Sequence, residues 1–195
     1  EDEGAGIREV PFSRELYIER ADFMEDAPRK FFRLKPGGEV RLRYGYWIRC
    51  NEVVKDGDGQ VTELLCTYDP DTRGGDSPPP DEEGKVRKVK GTLHWVSAEH
   101  AVPCEVRLFE RLYSEPVPGK ETCNHLDDLN PESIAVVQKA FIEPNWKTEG
   151  QVSWSDDSER VQFERIGYFC IDKESTVEKP IWNRTVTLKD SWSKK

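Results

Sequence analysis

The chain has 195 residues, with 29 Lys and Arg against 38 Asp and Glu, giving a formal net charge of −9 at pH 7. A net negative field excludes a protein that coats nucleic acid non-specifically, although it leaves room for a localised basic patch. The mean hydropathy of −0.78 and the lack of any apolar run near ~18 residues exclude a helical membrane span, and at ~150 residues per domain the length predicts one large domain or two small ones.

Val and Ile number 25 against 12 for Leu and Met, and Ala only 7. Branched β-carbons outweigh good helix formers, while 14 Gly and 13 Pro supply turns, so the composition predicts a mostly β chain. The start Glu1-Asp2-Glu3-Gly4 has no basic end or apolar stretch, and is not expected to be a secretory leader. The absence of an initiator Met points to a piece of something longer.

Asp22 to Ala27 leave room for a short helix. From 39 to 50, Val40, Leu42, Tyr44, Tyr46, Ile48 and Cys50 alternate with Arg41, Arg43, Trp47 and Arg49, which predicts one strand with a single face in the core. A second run, Val61 to Tyr68, follows Lys55-Asp56-Gly57-Asp58-Gly59, and the two Asp-Gly dipeptides predict a hairpin. Asp69 to Gly84, with its paired glycines, Pro78-Pro79-Pro80 and Asp81-Glu82-Glu83, reads as a mobile loop with too little apolar surface to order itself. Strand pattern returns at Val89, Gly91, Leu93 and Trp95, with Lys88, Lys90 and His94 on the other face. Further strand segments are expected over Cys104 to Tyr113, Ile134 to Ile142, Val161 to Ile171 and Trp182 to Leu188; Asn130-Pro131-Glu132-Ser133 and Glu143-Pro144-Asn145 read as the turns around Ile134 to Ile142. Many short strands at this spacing predict antiparallel barrels, and the length suits two.

Catalytic signatures for phosphate loops, dinucleotide binding, zinc proteases and serine hydrolases are missing. His94, His100 and His125 have no metal-pair spacing and read as satisfied surface or turn residues. Cys50, Cys66, Cys104, Cys123 and Cys170 are scattered, without the C-x₂₋₄-C of a structural zinc site, and read as free thiols of a reducing, cytoplasmic compartment. On the same reading the Asn183-Arg184-Thr185 sequon is a chance match. The cations run against the overall charge. Arg29, Lys30, Arg33, Lys35, Arg41, Arg43 and Arg49 gather in one stretch, interleaved with Phe31, Phe32, Tyr44 and Trp47, and Lys85, Arg87, Lys88 and Lys90 form a second group. Cations for phosphates beside aromatic planes for unstacked bases is how single-stranded RNA is held; an equal reading is a solvated strand face paired with nearby acids.

Several strings resemble the anticodon-binding region of glutaminyl-tRNA synthetases. They are Arg8-Glu9-Val10-Pro11-Phe12-Ser13-Arg14, Leu16-Tyr17-Ile18-Glu19-Arg20, Glu39-Val40-Arg41-Leu42-Arg43, Cys66-Thr67-Tyr68-Asp69-Pro70, the run from Lys88 to Ala98, Gln162 to Cys170, and Lys179 to Val186. They occur in the family's order across nearly the whole chain. Glutamyl-tRNA synthetases of the archaeal and eukaryotic type share the fold but match less closely. A non-enzymatic ribosomal-RNA-binding barrel would carry its own initiator Met and a basic balance.

The resemblance implies two antiparallel, ribosomal-protein-like β-barrels, the distal one inserted within the proximal one. Residues 1–27 and 109–195 would form the proximal barrel and 28–108 the distal one, with 71–84 a mobile acidic, proline-rich loop. The partners it implies are the anticodon loop of the glutamine tRNA and an upstream catalytic domain of the same chain. That domain would use ATP and magnesium, whereas these residues hold no cofactor or metal; a monomer without membrane attachment is expected. By position, Arg41 matches the arginine at the first anticodon base, Arg33 the one at the third base, G, and Gln162 with Arg165 the pair at the middle base, U. Lys30 joins them as a position where the family often keeps a polar or basic residue. Phe32 departs from the lysine of some relatives, and the segment Asp76 to Glu83 is longer than expected. Gln162 and Arg165, three apart, would fall on opposite faces of a regular strand, so a bulge or a strand end is expected between them.

Overall fold

The computed structural model describes residues 9–144, 160–176 and 178–188; the acidic runs at 1–3 and 156–159, Arg8 and Asn145 lie outside them. Among the described residues the chain is mostly β. Its strands are β1 (Leu16–Ile18), β2 (Glu39–Leu42), β3 (Trp47–Lys55), β4 (Val61–Asp69), β5 (Thr92–Leu93), β6 (Trp95–Ser97), β7 (Val102–Phe109), β8 (Ile134–Ile142), β9 (Arg160–Phe163), β10 (Gly167–Ile171) and β11 (Ile181–Thr187). Two compact units divide it: one is Val10–His100, and the other holds Glu9 and the described residues from Ala101 onward. These boundaries differ from the expected 27/28 and 108/109. Strand pairing is the reason: β1 pairs with β6, which draws residues 16–18 into the first unit, and β7 pairs with β8, which draws residues 102–108 into the second.

In the first unit the strand order is β4-β3-β2-β5, with a separate β1-β6 pair. The alternating run from 39 to 50 is two strands rather than one. Arg43, Tyr44 and Gly45 form a tight turn, Tyr44 taking a φ of 56°, a left-handed value uncommon outside glycine. The register Glu39↔Arg49, Val40↔Ile48, Arg41↔Trp47 pairs even positions with even ones, so the alternation runs unbroken through the turn. Val40, Leu42, Ile48 and Cys50 accordingly share one core with Leu34 and Leu93. The Asp-Gly hairpin forms as expected: β3 and β4 pair antiparallel, and Asp56 Oδ1 accepts from the N–H groups of Asp58 and Gln60 at 3.0 and 2.8 Å. No helix spans 22–27. Phe23 bridges Leu34 instead, and the Leu34 N–H donates to the Asp22 carbonyl at 3.0 Å, so pairing satisfies backbone groups that a helix would otherwise use.

The loop after β4 is only partly as expected. Pro70–Gly75 forms a kinked 3-10 segment in which Thr72 and Gly75 are buried. Thr72 Oγ1 accepts the Trp47 N–H at 2.8 Å and donates to the Asp69 carbonyl at 2.7 Å. From Asp76 to Lys88 the residues are exposed apart from half-buried Pro78.

The second unit carries the sheet β8-β7-β11-β10-β9. Its core gathers Cys104, Ile142, Phe169 and Trp182, with the Phe163 ring 4.6 Å from Phe169 and 5.5 Å from Trp182. The segment expected over Val161 to Ile171 is again a pair of strands around a turn. Two pairings, β2 with β5 and β11 with β7, are parallel, so neither large sheet is wholly antiparallel. Both connections are long enough for the crossover that parallel strands require. All five cysteines are free thiols, and burial pushes the Cys104 thiol up to about 12, which keeps it protonated and unreactive. No described helix is long and apolar enough to cross a membrane.

Candidate nucleic-acid interface

Arg41, Arg33 and Lys30 lie in the first unit. Arg41 sits on β2 between Trp47 of β3 and Thr92 of β5. Its side chain is half-buried, and its guanidinium carbon lies 5.6 Å from the centre of the Trp47 ring. Its Nε is buried without a hydrogen-bond partner. Arg33 is fixed differently: a terminal nitrogen donates to Asp22 Oδ1 at 2.6 Å, and that carboxylate is itself buried. One hydrogen bond anchors the fork and leaves most of its five N–H donors for a ligand. Lys30 is exposed in a turn three residues before Arg33.

Gln162 and Arg165 belong to the second unit. Gln162 is exposed on β9 opposite Tyr168. The strand ends at Phe163, and Arg165 occupies the following turn with a φ of 67°, closed by the Ile166 N–H donating to the Phe163 carbonyl at 2.9 Å. The strand end resolves the opposite-face conflict without a bulge. Arg165 is exposed, so both side chains of the pair face solvent.

The aromatic residues divide between display and support. Phe32 and Tyr44 are 52% and 61% exposed, with Lys90 Nζ 5.4 Å from the Phe32 ring and the Arg43 guanidinium 4.8 Å from the Tyr44 ring. Such rings are open to base stacking. Trp47, expected among them and on the outward face, is only 1% exposed. The segment Pro70–Gly75 covers it, its indole N–H donating to the Gly75 carbonyl at 3.2 Å. It therefore cannot stack on a base.

Two features were not legible in the sequence as sites. Arg87 reads as one member of a basic run, yet it is bound to Asp69 and lies 3.5 Å from Glu39, with its guanidinium carbon 5.2 Å from the Trp47 ring. An open depression of about 300 Å³ adjoins it, lined by Trp47, Arg49, Tyr68 and Arg87 among others. The second is a partly exposed aromatic group: the Phe12 ring lies 4.9 Å from Tyr46 and 5.5 Å from Trp95, and Tyr46 lies 5.1 Å from Tyr68. Only the tyrosines and tryptophans of alternating strands hint at it. Of the histidines, His100 Nδ1 shares a hydrogen bond of 2.8 Å with Ser97 Oγ, and His125 packs edge-on to Tyr113. Among the described residues no three His, Cys, Asp or Glu side chains group as a metal site would need.

Cations beside exposed rings are the groups that bind phosphates and stack on bases. Two family models, both described as tRNA synthetases class I (E and Q), anti-codon binding domain, match residues 1–69 and 92–172. A glutamine–tRNA ligase from Rhodopirellula baltica is 52% identical over all of this chain and 30% of its own length. Those of Bradyrhizobium diazoefficiens and Pseudomonas putida are 47% and 50% identical, over 100% and 97% of this chain and 32% of theirs. The chain thus spans about a third of the length of the curated relatives it matches. It belongs to the anticodon-binding domains of the class I tRNA synthetases for glutamate and glutamine.

Proposed function

We propose that this chain reads the anticodon of the glutamine tRNA, as part of a parent enzyme that joins glutamine to that tRNA with ATP. The observation that carries the reading is the state of Arg41: a cation fixed on a sheet beside an aromatic ring, with no ion pair among the described residues and its buried Nε unpartnered. A guanidinium in that state presents planar donors to a base edge or a phosphate. On this reading Arg41 meets the first anticodon base, Arg33 the third, and Gln162 with Arg165 the middle uracil. Gln offers both a donor and an acceptor to that edge, and Lys30 adds a neighbouring cation. The two anticodon-binding barrels would correspond to the two compact units. ATP and magnesium belong to the upstream catalytic part, the free thiols fit a cytoplasmic location, and a monomer suffices.

Titration of Arg33→Ala and Arg41→Ala against anticodon stem-loops tests the assignment. Each substitution is expected to cost about 1–3 kcal/mol on the glutamine anticodon and to relax preference at one base. Equal losses for every anticodon would make them phosphate contacts and overturn the base assignments.

A further inference from the structure

We infer that Trp47 is a positioning residue: its buried indole, together with Gly75, holds the Arg41 guanidinium in the orientation that meets RNA. The inference rests on the proposed role of Arg41 in anticodon recognition.

Arginines in the first unit are held in two chemically different ways. Arg33 is tied to Asp22, and Arg87 to Asp69 and Glu39. Both use part of their N–H fork on carboxylates. Arg41 lies 5.6 Å from the centre of the Trp47 ring instead. A ring attracts a guanidinium through the face of the cation and leaves the edge donors unspent. A carboxylate partner would occupy the same donors that a base edge must take. The ring therefore holds Arg41 without spending its terminal N–H donors, while its Nε is buried.

The ring can serve this way because it is fixed itself. The Trp47 backbone N–H donates to Thr72 Oγ1 at 2.8 Å, and its indole N–H to the Gly75 carbonyl at 3.2 Å. Gly75, at a φ of +88°, approaches the arginine stem so closely that a Cβ there would lie 3.1 Å from Arg41 Cδ and 3.4 Å from Cγ. Backbone thus confines the methylene stem while the indole attracts the charge. Arg87 lies over the same ring at 5.2 Å but is already committed to acids. Sequence alternation placed Trp47 on the face of the arginines, yet the cover that buries it comes from a segment more than twenty residues later.

A double-mutant cycle in the 195-residue chain tests this, with affinities for a CUG anticodon stem-loop referred to the folded fraction. Trp47→Leu is expected to weaken binding about tenfold, a loss within the range of a partly desolvated cation–ring contact. The same change in an Arg41→Ala background should cost less than about twofold, because nothing remains to be positioned. Should Trp47→Leu lower the melting temperature enough to deplete the folded chain, Trp47→Phe, which keeps a smaller ring, carries the same cycle and should weaken binding only while Arg41 is present. Losses that add in the two backgrounds, or no loss from either change, overturn the inference and leave the reading of Arg41 intact. Wild-type affinity for Arg41→Ala overturns both.

Discussion

Thr72 shows how much of this site depends on a single hydroxyl. Its Oγ1 accepts the Trp47 N–H and donates to the Asp69 carbonyl, at 2.8 and 2.7 Å, in a position fully removed from solvent. Thr72→Val keeps the shape but strands a buried N–H, so a loss of about 1–3 kcal/mol is expected in urea unfolding. Thr72→Ser, which retains the hydroxyl, should recover most of it. Equal stability of the Val and Ser variants would contradict this account of the segment. In the second unit, Arg107 donates to Glu105 at 2.8 Å and also pairs with Asp172 and Glu174 at 3.3 and 3.0 Å. That hydrogen bond from Arg107, with one from Lys179, holds Glu105 below its ordinary 4.5 despite burial. A depressed folded value contributes stability that is complete above the unfolded value and is lost as pH falls through the folded one. Urea midpoints followed from about pH 5 to about pH 3 should therefore fall less steeply in Glu105→Gln than in the native chain. An unchanged slope would place the acid sensitivity elsewhere.

At the scale of elements, strands were legible where alternation met a strong turn signal. The Asp-Gly hairpin and β8 (Ile134–Ile142) match their sequence expectations. Turns inside an unbroken alternation were not legible. Tyr44 and Arg165 both take left-handed φ values at positions that are not themselves Gly, Asn or Asp, so each hairpin reads as one long strand. The parity of the β2–β3 register kept Val40, Leu42, Ile48 and Cys50 on the core side although the strand count was wrong, whereas Tyr44 is exposed in the turn and Trp47 is buried on the opposite face. The candidate site was legible as residue types, Arg33, Arg41, Gln162 and Arg165, but not as geometry. Which arginines are neutralised depends on acids distant in sequence: Arg87 meets Asp69 and Glu39, whereas Arg41 meets none among the described residues. The loop after β4 divides by function. Deleting residues 76–83 should change the melting temperature little, since closure entropy varies slowly with loop length. Extending the deletion back to Thr72 should lower it sharply, because Trp47 loses its cover. Equal effects of the two deletions would contradict the division at Gly75.

For the molecule as a whole, the net charge of −9 means that the proposed RNA binding would rest on specificity rather than bulk attraction. Arg87, Arg107 and Arg184 are already paired within their own units, with Asp69, Glu105 and Glu110, and contribute less to neutralising phosphates. Affinity then depends on bases held singly, and anticodon identity should outweigh RNA length. The direct measurement is a titration of the chain against stem-loops differing only in the three anticodon bases, repeated across salt concentrations. The account predicts a clear preference for the glutamine anticodon and a gentle fall of log K with log salt, roughly −0.7 per single-strand phosphate contacted. A steep salt dependence with no anticodon preference would contradict it, leaving an electrostatic RNA binder whose arginines do not read bases.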